Sequence, residues 1–472
     1  MKKLLIILLS ITALLSTPAY TISWDPIETI PSISPPSEAR GAVSLAYDNI
    51  NGLMFAAWLD DSTGTPFFSI FNNILGTWSM PAQIANAQTN NAIYLSYDSS
   101  ARIMVATWND SGTNNPFYSF YNGTDWSNAA AISNAVVVFD GVRTTYRSRT
   151  GNIIAAWSDN NFPFNPFYSI YISGYDTWSI PETIAIEQVF DDVTLTYDNI
   201  SDQVFAAWIA NNTGLPSYAT LTAGVWTSGS ISLTDPASTQ SKNVLLTYDN
   251  SNQQVYAAWG ATQPLVAVFS NTNQTWSAPI AISNVGTLNS EVALAYSSAS
   301  EQVVAAWLDS GIPRYAITNS AGANWTEGFI SPNPVASTAI SLAFDSGLNE
   351  MFVAWSNATT SNPADPVYSA LLTPTLFPDP AIGPVISLKG AKKVNRFFTA
   401  SDLANQLSWF PPAPGVFPVL GYHIYRDETL IATLPHTKLS FQDHNRKPGV
   451  SYSYAVAAFD VNGEGPQTAI AL

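Results

Sequence analysis

Large and small side chains alternate over residues 43–48, where Val43, Leu45 and Tyr47 are bulky and Ser44 and Ala46 are small. A turn, "NING", leads to "LMFAAWLD", then a polar loop to "PFFSIF", then "GTWSMPAQI". Period-two alternation, β-branched and aromatic enrichment, and Gly, Asn, Asp and Pro breaks between runs predict four short strands. The unit recurs. A small-small-Trp pattern places inner tryptophans at Trp58, Trp108, Trp157, Trp208, Trp259, Trp307 and Trp355, 48 to 51 residues apart. About 20 residues after each of the first six comes a second one: Trp78, Trp126, Trp178, Trp226, Trp276 and Trp325. Beyond the first 20 residues, no run of ten or more carries a helical period. Four-stranded units of this length, repeated this often, predict an all-β chain built on a seven-bladed β-propeller.

The seventh unit stops after its third strand, "PVYSALL" (366–372), and its inner Trp355 has no follower. Near the N-terminus "WDPIETI" (24–30) almost repeats "WSIPETI" (178–184), so Trp24 supplies the missing tryptophan. The N-terminal strand is therefore expected to close the last blade, since an unlatched ring would leave two sheet edges open. Core packing is the expected role of these tryptophans, Trp58 and Trp78 among them, with alanine pairs such as Ala56-Ala57 letting neighbouring sheets approach.

Residues 1–19 run from Lys2 and Lys3 through an apolar stretch to small residues ending at Ala19, the order of a cleaved signal peptide. Export to the periplasm or medium is expected, with no later segment long enough to span a membrane. No cysteine is present, which removes thiol chemistry and thiolate metal sites. Residues 20–375 carry seven basic against 27 acidic side chains, a net −20, so nucleic acid and anionic surfaces are disfavoured partners. The remainder is near neutral.

The repeat unit resembles the blades of sialidase-like, Asp-box propellers: a strand ending in Ala-x-Trp, a polar loop, an aromatic strand with Ser, then Thr-Trp-Ser-x-Pro. "AAWLDDSTGTPFFSIFNNILGTWSMPAQI" (56–84) carries it. The box is degenerate, because Phe71 and Tyr171 stand where its Asp would follow Ser69 and Ser169. The tail resembles a fibronectin type III domain, through Trp409 in "LSWFPP", "GYHIYRD" (421–427) and Pro448-Gly449 before Tyr452. Trp409 would then be the buried Trp of the second strand and Tyr452 the tyrosine-corner residue. The expected organisation is a propeller over 20–372, a Pro-rich linker over 373–384 and a fibronectin-type domain over 385–472.

Sialidase chemistry, as that resemblance implies it, needs three arginines on one face. Arg143, Arg147 and Arg149 fall in one first strand and turn, and Arg102 on another turn, which leaves Arg40 and Arg314 near the loop face. The activity is not carried over, and no catalytic residue, metal or cofactor is assigned. All three histidines lie in the tail. A monomeric, non-enzymatic binding or adhesion protein for an extracellular protein or glycan is expected, with a propeller lectin or a carboxylate-only glycoside hydrolase as alternatives. Second-to-third-strand loops are the expected recognition surface. Their candidate residues are Phe162 and Phe164 as anchors, and Asp60, Asp110, Asp159 and Asp309 as a ring of carboxylates two residues after inner tryptophans. For the aspartates, capping of their own loops is the plainer role.

Overall fold

A computed structural model describes residues 24–31, 39–60, 63–73, 75–89, 91–138, 140–161, 163–172, 175–232, 234, 243–283, 288, 290–318, 324–335, 337, 339–359, 362–372, 384–396, 401–412, 419, 421–460, 463–464 and 466–472. The expected signal peptide and nearly all of the expected linker lie outside them, as does Phe162. The described residues are all-β, with no helix. The chain divides into two compact units, Met1–Thr373 and Pro374–Leu472.

The first unit holds seven antiparallel sheets of four or five strands, one per repeat. In the first, Ala39–Asp48, Leu53–Asp60 and Pro66–Asn72 lie side by side, and Thr77–Trp78 and Ala82–Gln83 both pair with the third strand. First strands touch first strands from sheet to sheet, and that of the seventh touches that of the first, so the arrangement is propeller-like.

The predicted four strands per repeat hold, but the fourth is broken in the first, second, third and fifth sheets. In three of these a Ser-x-Pro segment spans the gap, while the second has Ser127-Asn128-Ala129 there. Proline cannot donate to the ladder, and serine hydroxyls fill in. Ser169 Oγ donates to Ser179 O at 2.7 Å, while Ser179 Oγ accepts from Ile170 N at 3.0 Å. Ser69 with Ser79 and Ser119 with Ser127 repeat this bridge, again with 2.7 Å bonds. These side chains tie the interrupted fourth strand to the third.

The seventh sheet is built from both ends of the unit. Glu28–Thr29 pairs antiparallel with Asn362–Leu372, Glu28 opposite Tyr368 and Thr29 opposite Val367. Asp25 N donates to Ala370 O at 2.8 Å and Ile30 N to Pro366 O at 2.9 Å. The likeness between "WDPIETI" and "WSIPETI" is structural. Tyr168 donates to Glu182 Oε2 at 2.7 Å, and Tyr368 donates to Glu28 Oε2 at 2.8 Å. Ser369 Oγ donates to Asp25 O, as Ser169 does to Ser179 O.

Packing lies between sheets. All seven inner tryptophans are fully buried, and each core cluster draws on adjacent sheets. Outer tryptophans stand edge-on to a ring of the preceding sheet: Trp78 to Tyr368 at 5.3 Å, Trp126 to Phe68 at 5.4 Å, Trp226 to Tyr168 at 5.3 Å. Trp24 takes the same place against Tyr315 at 5.6 Å. Edge-on aromatic pairs of this kind add about 0.5–1.5 kcal/mol beyond buried area.

Asp48, Asp98, Asp198, Asp249 and Asp345 at the far ends of first strands cap the turns that follow, each accepting backbone N–H bonds two and three residues on. Tyrosines of the next sheet reach these turns. The Tyr47 hydroxyl accepts from Gly347 N at 3.0 Å across the joint between the last and first sheets.

The second unit has a three-stranded sheet of Ile386–Arg396, Ser401–Phe410 and Ser440–Asp443. Its other sheet joins Thr429–Pro435, Gly421–Arg426, Ser453–Asp460, Gly463–Glu464 and Thr468–Ala471. Trp409 is buried, edge-on to Tyr422 at 5.3 Å. The Tyr452 hydroxyl accepts from Lys447 N at 3.3 Å.

Ile30 is fully buried among residues of the first and last sheets. Ile30→Ala is expected to lower unfolding stability by about 2–5 kcal/mol. Ile27→Ala, at a largely exposed neighbour, should stay within about 0.5 kcal/mol. Calorimetry of the two variants checks this, and equal small effects would show that the seam contributes little.

Candidate functional site

Of the two expected loop anchors, Phe162 lies outside the described residues. Phe164 is half-buried and has a left-handed backbone, φ 61°. The four aspartates are held by their own loops. Asp60 Oδ1 accepts from Thr63 N at 3.1 Å, Asp110 Oδ2 from Thr113 N at 2.9 Å, and Asp159 Oδ1 from Asn161 N at 3.0 Å. Asp309 pairs with Arg314 Nε at 2.8 Å. Backbone bridges from Thr89, Val138 and Leu288 pin Asp110, Asp159 and Asp309 to the segment entering each repeat. Among the described residues these four form no carboxylate cluster.

The densest chemistry lies instead where the first strands begin. Just before each strand's core Val or Ile, most repeats have a small residue: Ala42, Ala92, Gly141 and Ala339. Three consecutive repeats have Asp192, Asn243 and Glu291 there. One position after the core residue stand Tyr94 and Arg143. The cycle of sheets brings these five together, and three of them, Tyr94, Arg143 and Glu291, line a cavity of about 260 Å³ that first strands of all seven sheets enclose. Leu45, Leu95, Leu195, Leu246, Leu294 and Leu342 line its wall.

Asp192 is almost wholly buried and saturated with donors. Gly141 N reaches Oδ1 at 2.7 Å, and Oδ2 takes the Tyr94 hydroxyl at 2.8 Å, Arg143 Nε at 3.1 Å and Nη2 at 3.0 Å. Arg143 also lies over the Tyr94 ring, 3.9 Å from its centroid, and 3.5 Å from Glu291 Oε2. Asn243 links the two residues, its Oδ1 accepting from the Asp192 backbone N–H at 3.0 Å and its Nδ2 donating to Glu291 Oε1. Glu291 keeps a quarter of its side chain open to solvent.

Burial holds both carboxyls above the usual carboxylate range, and the Arg143 charge only partly offsets it. Asp140 adds repulsion, its carboxylate grouping with those of Asp191 and Asp192 within 4.8 Å. Burial likewise pushes the Tyr94 hydroxyl well above its ordinary value, so it serves as a donor. Gly141 makes the cluster possible: a Cβ there would meet Tyr94 at 2.5 Å and Asp192 at 2.6 Å.

The sequence-based placement of Arg143 away from the loop face is corrected. It stands at the entry end of its strand and lines the cavity, because the strand starts on that face. Arg147 lies at the far end of the same strand, paired with Asp202 at 2.6 Å. Arg143 is the single arginine among the described cavity-lining residues. A usable signal was present in the repeat alignment: an acid, an amide and another acid replacing Ala or Gly at one repeat position.

No family model and no curated protein matches the chain. Solved structures do at low identity. A polysaccharide lyase described as an ulvan lyase matches at TM-score 0.49 and 11% identity, over 73% of this chain and 94% of its own. AofleA from Arthrobotrys oligospora matches at 0.48 and 11%, over 68% and 94%. The intramolecular trans-sialidase of Ruminococcus gnavus matches at 0.41 and 8%, over 71% and 95%. Likenesses at this level carry no function over to the chain.

Removing Arg143 leaves a buried carboxylate unpaired, so Arg143→Met is expected to cost about 3–5 kcal/mol in unfolding stability, read by denaturant titration. A second expectation concerns pH. The folded state holds the Glu291 proton more tightly than the unfolded chain, so this group favours folding less as pH rises from the unfolded to the folded pKa. Melting curves from pH 5 to 7.5 should show wild type losing ground to Glu291→Gln as pH rises, and the opposite slope would contradict the raised pKa.

Proposed function

We propose that this is an exported, non-enzymatic binding protein that recognises a hydroxyl-rich ligand, a glycan, at the mouth of the central cavity. Its body is read as a seven-bladed β-propeller of the sialidase-like kind, with a fibronectin type III domain following. The observation that carries the function is the partly open Glu291 beside Arg143 in the lining of a leucine-walled cavity. Glu291 offers acceptor lone pairs and Arg143 offers donors, a combination suited to sugar hydroxyls, while the apolar wall suits the faces of a sugar ring.

The charge state supports binding over anion capture. Arg143 is already engaged by two carboxylates, so a substrate carboxylate would have to displace them. The acidic body also repels anionic polymers at long range. Neutral glycans fit both facts better.

One observation keeps a second reading, a carboxylate-only glycoside hydrolase. Asp192 and Glu291 approach the same Arg143 nitrogen, and both hold their protons more tightly than ordinary carboxyls. Such a pair is the raw material of acid-assisted glycoside cleavage. Asp192, however, is closed off by four donor contacts, which favours the binding role.

A glycan array with the full-length protein, followed by calorimetric titration of the best hit, tests the proposal. Binding of neutral glycans, weakened by about tenfold or more in Glu291→Gln without product formation, is the expected result. No bound glycan, or binding indifferent to Glu291→Gln, would overturn it. Release of reducing sugar that stops in Glu291→Gln would favour the hydrolase.

A further inference from the structure

The guanidinium beside Glu291 has little left to give it. Arg143 Nη2 carries two protons, and it donates to Asp192 Oδ2 at 3.0 Å and to the Tyr94 hydroxyl at 3.2 Å. Nε donates to Asp192 Oδ2 as well, at 3.1 Å. The 3.5 Å approach of Nη2 to Glu291 Oε2 is therefore an ion pair without a hydrogen bond. Asn243 Nδ2 supplies Oε1, and among the described residues no donor reaches Oε2. That oxygen belongs to a side chain that lines the cavity and keeps a quarter of its surface open. Arg143 Nη1, with two protons of its own, also makes no hydrogen bond among the described residues.

Charge is unbalanced at the same place. Asp192 and Glu291 share one cation. The Asp140 carboxylate repels both, and it has no hydrogen bond or ion pair of its own among the described residues. Arg143 is the only basic side chain among the described cavity-lining residues; Lys242, next to Asn243 in the chain, lies outside the described residues. A group entering beside Glu291 Oε2 is therefore favoured if it brings both protons and positive charge. A protonated primary amine brings both, and a charged hydrogen bond of this kind is worth about tenfold in affinity or more. A metal ion fits less well, since it needs several free oxygens at once and those of Asp192 are committed to four donor contacts. The leucine wall and the donors on Nη1 suit a ring that carries a hydroxyl beside the amine, and about 260 Å³ suits one such ring rather than several.

We propose that the central cavity selects a 2-amino-2-deoxy sugar with a free amine, its ammonium donating to Glu291 Oε2 and its neighbouring hydroxyl accepting from Arg143 Nη1. An N-acetylated sugar lacks the charge, and an ordinary hydroxyl donates a single uncharged bond. The selection rests on the reading of this cavity as a glycan site and narrows it: neutral sugars bind, and the amino sugar binds more tightly.

Calorimetric titration of the full-length protein at pH 6 tests this. In the gluco, galacto and manno series, the methyl glycoside of the 2-amino sugar is compared with its N-acetyl and 2-hydroxyl counterparts, each up to tens of millimolar. Butylammonium probes the amine without a ring. In at least one series the amino sugar is expected to bind about tenfold more tightly than both counterparts, and butylammonium about tenfold more weakly than the amino sugar. Glu291→Gln should bring the three glycosides within about threefold of one another. Asp140→Asn, a change outside the cavity lining, should lower the preference by about twofold or more. Glycosides that bind without preferring the amine overturn the selection and leave the glycan site standing, whereas no binding by any glycoside removes both. A preference that survives Glu291→Gln and Asp140→Asn in folded variants also overturns it. Butylammonium binding as tightly as the amino sugar does so too, and would point to a lysine side chain of a protein partner.

Discussion

One short pairing of distant segments underlies the first unit. Glu28 and Thr29 sit opposite Tyr368 and Val367, so a strand near the start of the described chain completes the sheet that the last repeat leaves unfinished. Without it the edge of Asn362–Leu372 would present unpaired backbone groups to solvent, the template for unwanted association. The fully buried Ile30 enters a core shared by the last and first sheets, and Trp24 packs on Tyr315. Several weak contacts are thereby made conditional on one another.

That closure also creates the central site. No single repeat contains it. Asp192, Asn243 and Glu291 come from three successive repeats, and Arg143 and Tyr94 from the two before, so their convergence needs the first strands to stand around one cavity. The low-dielectric setting then raises the stakes for every polar atom: each carboxylate there must have donors, or hold its proton. Asp192 has four donor contacts and orders the cluster. Glu291, less enclosed, keeps the capacity to meet a ligand.

Repetition shapes the periphery in the same way. Serine hydroxyls bridge the broken fourth strands, outer tryptophans lean on the preceding sheet, and capping aspartates hold the turns. Because the units are near copies, single departures become informative. Glu187, which accepts the Trp208 indole N–H, stands at the repeat position that Ala87 holds elsewhere.

Local pattern determined a good deal. Period-two alternation and regularly spaced tryptophans specify strands, their number and the shared seam, because strand formation and inter-sheet packing depend on residue size at fixed short intervals. The copy of "WSIPETI" at Trp24 marks the closing strand for the same reason: its Asp25 and Glu28 make the bonds that Ser179 and Glu182 make elsewhere. What the chain order does not encode is which side chains of different repeats meet. Arg143 looks like one member of a local arginine cluster, yet its partners lie 49 and 148 positions away at Asp192 and Glu291. Asp60, Asp110 and Asp159 accept N–H bonds from their own loops, the plainer role that the sequence offered, because a nearby backbone N–H satisfies a short carboxylate before any distant group can, while Asp309 pairs with Arg314. Tertiary closure alone decided the site, because burial and proximity, not residue type, set the charge and proton affinity of its groups.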